Sequence, residues 1–136
     1  MPALLLSVFI TAAALAADPP AAVVAADAAE RRTAPHGKAS ITILAQGVNA
    51  FLGRLELAPG AQVPRHRDAT EEYVHVLSGS GTITIDGVAQ AVGPGTTVYM
   101  PANVEVSYTN GEEQLVAIQV FAGPGPAQKY DGWKAP

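Results

Sequence analysis

The chain has 136 residues, enough for one domain with a buried core, and 49% of them are hydrophobic whereas only 15% are charged. The net charge of -4 is scattered and forms no basic patch or arm, which argues against nucleic acid or an anionic membrane surface as a partner. The absence of cysteine excludes disulfides, thiolate zinc sites and a cysteine nucleophile.

Residues 1–17 predict a secretory signal peptide. An uncharged apolar run ends in small residues, and Ala14-Leu15-Ala16 fits a cleavage site, although no basic residue precedes the run. The run is too short to cross a bilayer, which takes about 20 residues. We therefore expect a periplasmic or secreted protein with no membrane insertion after signal cleavage.

Residues 18–38 are rich in alanine, proline and charge and show no sustained apolar period, so they predict a linker or N-terminal arm. His36 lies in this arm. We expect it to face solvent, and the alternative is that it closes over the mouth of the domain that follows.

Residues 39–122 alternate short apolar segments with turn signals. The candidate strands are residues 41–44, 51–57, 73–77, 82–85, 88–92, 97–100, 104–109 and 115–121. Asp86-Gly87 between two of them is a strong hairpin signal. Strands of this length and spacing predict an all-β antiparallel sandwich or barrel. Residues 123–136 form a short irregular tail, and we expect its Tyr130 and Trp133 to pack on the barrel surface.

One stretch between two glycine turns gathers an imidazole and two carboxylates. His66, Asp68 and Glu72 are separated by even spacings, so in an extended chain all three point to the same side. One nitrogen and two carboxylate donors suit hard ions such as manganese, magnesium or calcium. The first alternative is a hydrogen-bonded cluster that holds His66 protonated between the carboxylates and binds an anionic or hydroxyl-rich ligand directly. The second alternative is an inert pocket.

The turns and ligands together resemble the motifs of the cupins, a family of small jelly-roll barrels. The first cupin motif, G-x5-H-x-H-x3-E-x6-G, is matched at Gly60, His66, Glu72 and Gly79, with Asp68 at the second histidine position. The second motif is matched at Pro94-Gly95, Pro101 and Asn110, with Val106 at the histidine position. The resemblance implies a jelly-roll cupin β-barrel over residues 39–122.

The resemblance also implies a metal. Metal-binding cupins resemble one another in supplying three histidines and one glutamate, which would hold one divalent ion such as manganese, iron, zinc or nickel. This chain keeps His66 and Glu72 and offers an oxygen donor at Asp68, whereas Val106 cannot coordinate a metal. The predicted site is therefore degenerate, with His66, Asp68 and Glu72 as candidate ligands, and the cofactor is one divalent ion or none.

Strand alternation adds further candidates. Gln62 at the entry, Tyr108 on the inward face of its strand, and Gln119 within the last apolar run are the predicted ligand-binding residues. The same count places His75 on the opposite face of its strand, which is also apolar. A strand with two apolar faces needs cover on both, so we expect a homodimer.

The favoured function is an exported single-domain cupin that binds a small polar ligand in its barrel without established catalysis. The first alternative is a metal-dependent enzyme, either a sugar-type isomerase or an epimerase, that uses His66, Asp68 and Glu72. A dioxygenase is disfavoured because only one imidazole is available. The second alternative is a non-catalytic interaction module. Hydrolases of the common kinds are disfavoured because no Ser-His-Asp pattern or phosphate loop is present.

Overall fold

The computed structural model describes residues 18–135, which form two antiparallel β-sheets. The predicted signal peptide, residues 1–17, lies outside the described residues. Within residues 18–135, no helix has both the length and the apolar character needed to cross a bilayer.

Within residues 18–135, ten strands and one 3-10 turn follow one another. They are β1 (Glu30–Thr33), β2 (Ala39–Gln46), β3 (Ala50–Leu57), β4 (Gln62–Arg67), β5 (Glu71–Ser78), β6 (Gly81–Ile85), β7 (Val88–Val92), β8 (Thr97–Met100), β9 (Glu105–Asn110), β10 (Leu115–Ala122) and the 3-10 turn Gln128–Tyr130. One sheet has the order β1-β2-β3-β10-β5-β8 and the other β4-β9-β6-β7. This architecture confirms the predicted all-β antiparallel fold.

The two sheets face each other across a shared apolar interior. Ile83 and Val106 of the four-stranded sheet pack in one buried cluster with Met100 of the six-stranded sheet. A second cluster joins Leu57 and Val76 of the six-stranded sheet to partly buried residues of the other. Side chains that point inward from either sheet therefore meet in one space, which is what strand alternation requires.

The β6–β7 hairpin has the turn that its sequence predicts. Asp86 and Gly87 both have positive φ, 46° and 82°, and Ile85 pairs with Val88. Positive φ at both central residues defines the type I′ turn, whose twist matches that of the flanking strands. The hairpin predicted from Asp-Gly is therefore present in the predicted register.

The six-stranded sheet extends into the predicted N-terminal arm. Glu30–Thr33 form edge strand β1, which pairs with β2, and Ala34 is buried. Thr33 also exchanges two backbone hydrogen bonds with Lys134, at 2.8 and 3.0 Å. Residues 30–33 show no alternation of apolar and polar side chains, so the sequence did not predict this strand. An edge strand is held by backbone pairing and needs no apolar face.

The described part of the C-terminal tail, residues 123–135, places an aromatic side chain in the core, whereas packing on the barrel surface was predicted. Tyr130 is only 2% exposed, and its ring centroid lies 5.6 Å from that of Phe51 and 6.2 Å from that of Phe121. Trp133 meets Tyr130 edge-on, with the ring centroids 4.8 Å apart. A tyrosine can be buried this far when its hydroxyl finds a partner, and Tyr130 donates to the side-chain oxygen of Gln119.

Candidate functional site

A cavity of about 200 Å³ lies between the sheets, and its walls are mostly apolar. Among its apolar lining residues are Leu55, Val74, Val76, Ile83, Val98 and Met100. Its polar lining comes from His36, Gln62, His66, Glu72, Ser107, Tyr108, Gln119, Lys129 and Tyr130, and Asp68 lies behind this lining. An apolar space with a few convergent polar groups is typical of a small-molecule site.

His66, on β4, is held between two acceptors. Its Nε2 lies 3.1 Å from Asp68 Oδ2 and its Nδ1 lies 2.8 Å from the carbonyl oxygen of Pro64. A neutral imidazole has a single N–H, so only the protonated ring donates to both acceptors. The hydrogen bond with Asp68 raises the pKa of His66 although burial opposes it. The sequence alternative placed this imidazole between two carboxylates. In the structure its two neighbours are the carboxylate of Asp68 and the backbone carbonyl of Pro64.

Asp68 is also paired with Lys129 of the tail. The Lys129 ammonium lies 3.0 Å from Oδ1 and 3.1 Å from Oδ2, and 4.9 Å from the Phe121 ring centroid. Burial alone would raise the pKa of Asp68, but the hydrogen bond from His66 and the charge of Lys129 together lower it. The carboxylate therefore stays ionised between two cationic groups.

Sequence reasoning did not identify Lys129 as a site residue. Strand alternation says nothing about a side chain in an irregular segment, and Lys129 is 61 positions from Asp68 in the chain. The only sequence signal nearby is the pair of tail aromatics, Tyr130 and Trp133, which indicates that the tail docks somewhere on the barrel.

Glu72 belongs to a second series of hydrogen-bonded side chains. It is 7% exposed, and Gln119 Nε2 donates to its Oε1 at 2.7 Å while Tyr130 donates to the oxygen of the same amide. Burial raises the pKa of Glu72, although the nearby positive charge of Lys129 acts against this. Burial and the charge of Glu72 raise the pKa of Tyr130 well above its usual value. Gln119 therefore positions its two neighbours with both ends of its amide.

The other predicted ligand-binding residues also line the cavity. Tyr108 donates to Asn110 Oδ1 at 3.2 Å, and burial raises its pKa. Gln62 lies on an exposed stretch of β4 at the cavity. His36 lines the cavity from the arm, and its Nδ1 accepts a hydrogen bond from the backbone N–H of Lys38 at 3.0 Å. Ligand contact by these residues stays a prediction.

The outer face of β5 and β8 carries exposed apolar and aromatic side chains. His75 points to this side, with Nδ1 2.8 Å from the hydroxyl of Thr97, and does not line the cavity. Tyr73 and Tyr99 stack at 5.1 Å between ring centroids, and Leu77 is 48% exposed. The parity argument for two apolar faces on β5 agrees with this placement.

The donor set does not fit a divalent ion. Residues 18–135 contain no group of three histidine, cysteine, aspartate or glutamate side chains that could surround a metal. Both ring nitrogens of His66 face acceptors, and both oxygens of Asp68 face the Lys129 ammonium. Val106 is the register partner of His66 on β9 and places an apolar side chain beside it. A metal ion could bind here only if Lys129 were displaced and the imidazole ring rotated. The residues present therefore do not support metal-dependent chemistry.

Comparison with known proteins identifies the fold family and one sequence relative. A family model described as a cupin domain matches residues 53–121. The dimethylsulfoniopropionate lyase DddW of Ruegeria pomeroyi is 39% identical over 71 residues, which are 52% of this chain and 47% of the lyase. The chain thus spans about half the length of this curated relative.

Solved structures support the same fold. KdgF from Halomonas sp. superposes with a TM-score of 0.72 at 14% identity, over 80% of this chain and 99% of KdgF. An RmlC-like cupin from Shewanella frigidimarina superposes with a TM-score of 0.70 at 15% identity, over 78% of this chain and 94% of that cupin. At these identities the likeness establishes the fold alone.

Proposed function

The chain belongs to the cupin domain family, and we propose that its barrel binds a small polar ligand without a metal ion. Divalent metals are common in cupins, so this chain departs from a frequent pattern of its family. The observation that carries the proposal is that His66 and Lys129, which both line an apolar cavity, are both paired with the carboxylate of Asp68 behind them.

Charge pairing supports a metal-independent site. Burying a carboxylate in apolar surroundings costs free energy unless the carboxylate is paired with a positive charge and hydrogen-bonded. In metal-binding sites the ion supplies that positive charge, and here the Lys129 ammonium lies within hydrogen-bond distance of both Asp68 oxygens. The negative charge of Asp68 is therefore balanced by the chain's own residues.

Cavity size sets the scale of the ligand. A volume of about 200 Å³ corresponds to about seven waters at ~30 Å³ each, or a ligand of about six to eight non-hydrogen atoms. Binding without catalysis is favoured because the groups that could move protons are held by protein partners, His66 by Pro64 and Asp68, and Tyr130 by Gln119.

The experiment is elemental analysis of the full chain, expressed with its own N-terminus and without a polyhistidine tag, together with a thermal-shift screen of small polar molecules. We expect less than a tenth of an equivalent of any divalent ion, and at least one ligand whose stabilisation is unchanged by a chelator. One equivalent of metal that is lost in His66→Ala would contradict the proposal and favour the metal-dependent enzyme.

Intact mass of the same preparation tests export, because loss of residues 1–17 would mark signal cleavage.

A second candidate function is a lyase that acts on a small sulfonium carboxylate. The observation that favours it is the 39% identity to a dimethylsulfoniopropionate lyase over 71 residues. Loss of dimethylsulfoniopropionate, followed by proton NMR and compared with Glu72→Gln, tests it directly. The sugar-type isomerase or epimerase stays a prediction that requires the metal that the donor set does not fit.

A further inference from the structure

We infer that the cavity selects small monocarboxylates and that Lys129, on the tail, is the residue that recognises the carboxylate. The inference rests on the proposed function, since it names the ligand class of the same cavity. It assigns the recognition role to a residue outside both sequence motifs.

Lys129 has the donor capacity for a ligand. An ammonium group has three N–H donors, and within residues 18–135 its side-chain acceptors are the two oxygens of the single carboxylate of Asp68. His66 donates to that same carboxylate, so two donor groups share one acidic partner. Glu72, the carboxyl group that lines the cavity, accepts from the amide of Gln119 through Oε1 at 2.7 Å. A ligand carboxylate would give Lys129 a second anionic partner.

The position of the ammonium is well defined. Lys129 lies over the ring of Phe121 at 4.9 Å, and the next residue, Tyr130, is buried in the core. A cation held against an aromatic face with an anchored backbone has lost much of the freedom of a surface lysine. Its side chain is still 31% exposed and it lines the cavity, so a ligand can reach it.

The rest of the lining argues for one charged group and an apolar body. Hydroxyl-rich ligands need several free polar partners, but the polar side chains here are mostly paired with one another. The pairs are His66 with Asp68, Glu72 with Gln119, Gln119 with Tyr130, and Tyr108 with Asn110. Apart from His36, Gln62, Ser107 and Lys129, the remaining wall is apolar and would stabilise a short hydrocarbon chain. A monocarboxylate of about six to eight non-hydrogen atoms meets both requirements.

Trp133 provides the readout. It is the single tryptophan of the chain, lines the same cavity and touches Tyr130. We propose titration of the full chain with butanoate and with butanamide, which has the same shape and no charge, while tryptophan emission is followed. We expect saturable binding of butanoate in the millimolar range, and butanamide weaker by about tenfold or more, because its amide oxygen can still accept from the ammonium but carries no negative charge to pair with it.

Variants separate recognition from folding. Lys129→Gln should abolish the preference for butanoate, and Lys129→Arg should retain part of it because the charge is kept. Lys134→Gln makes the same change at an exposed position of the same tail and should bind butanoate as the unsubstituted chain does. Circular dichroism melting of each variant shows whether the barrel is intact.

Three results would overturn the inference. Equal affinity for butanoate and butanamide would show that the cavity does not recognise the charge of the ligand. This result would leave the proposal of metal-independent binding intact. No saturable response to butanoate in the unsubstituted chain would also refute it. The ligand screen described for the proposed function would then decide separately whether the cavity binds anything. A butanoate preference that survives in Lys129→Gln would assign recognition to another residue.

Discussion

Replacing Tyr130 with phenylalanine isolates one hydrogen bond in the core. The ring keeps its contacts with Phe51, Phe121 and Trp133, and only the hydroxyl that donates to Gln119 is removed. The side-chain oxygen of Gln119 then loses its donor. Gln119 is only 3% exposed, so this oxygen stays buried.

The expected cost follows from that orphaned oxygen. A buried acceptor left without a partner destabilises a protein by about 1–3 kcal/mol, more than the net value of the bond itself. Glu72 accepts from the other end of the same amide, so Gln119 cannot turn to compensate without breaking that contact. We therefore expect the free energy of unfolding to fall by about 2 kcal/mol. For a domain of this size that corresponds to a melting temperature lower by about 8 °C.

Urea unfolding followed by Trp133 fluorescence measures this loss, and Tyr99→Phe is the matched control. In the protomer Tyr99 is 51% exposed and its hydroxyl donates to Glu71 at 3.0 Å. Both variants are therefore unfolded at a protein concentration at which sedimentation velocity shows monomer, so that water can replace this bond. We expect the control to leave the urea midpoint unchanged within error. If Tyr130→Phe and Tyr99→Phe are equally stable, the buried chain from Tyr130 to Glu72 does not stabilise the fold, and the reasoning fails.

Three further predictions concern stability, pH and assembly. Asn110→Ala removes an amide that donates to three backbone carbonyls at 2.9–3.2 Å, so we expect a loss of about 2–3 kcal/mol in urea unfolding. The raised pKa of His66 stabilises the fold below pH ~6.5, and this contribution is lost as pH rises through the folded-state pKa. Urea midpoints should thus fall from pH 6 to pH 8.5 less steeply in His66→Gln. Tyr99→Glu should convert the expected homodimer to monomer in sedimentation velocity, whereas Val88→Glu, on the other sheet, should not.

The fold followed from the sequence because its signals are local. Asp86-Gly87 specifies its turn through backbone conformation alone, and alternation along β5 correctly placed Glu72 with Val74 on the cavity side. The same counting correctly excluded His75 from the cavity. Each of these inferences needs only the neighbouring residues.

The candidate site was harder to predict because part of it comes from a distant irregular segment. Lys129 reaches Asp68 and Tyr130 reaches Gln119 through tertiary packing of the tail, which has no period to count. Without Lys129, the even spacing of the two carboxylates and the imidazole indicated a metal. With it, the same residues are satisfied by hydrogen bonds within the chain.

The backbone bridge between Thr33 and Lys134 has a consequence for proteolytic trimming. The segment that carries Lys129 is tied at its far end to β1 by this bridge. Cleavage before Glu30 would leave β1 and its pairing with β2 in place. Cleavage after Thr33 would remove the bridge partner and release one attachment of the tail. The extent of N-terminal processing would therefore determine how firmly Lys129 is held at the cavity, although the two ends of the chain are far apart in sequence.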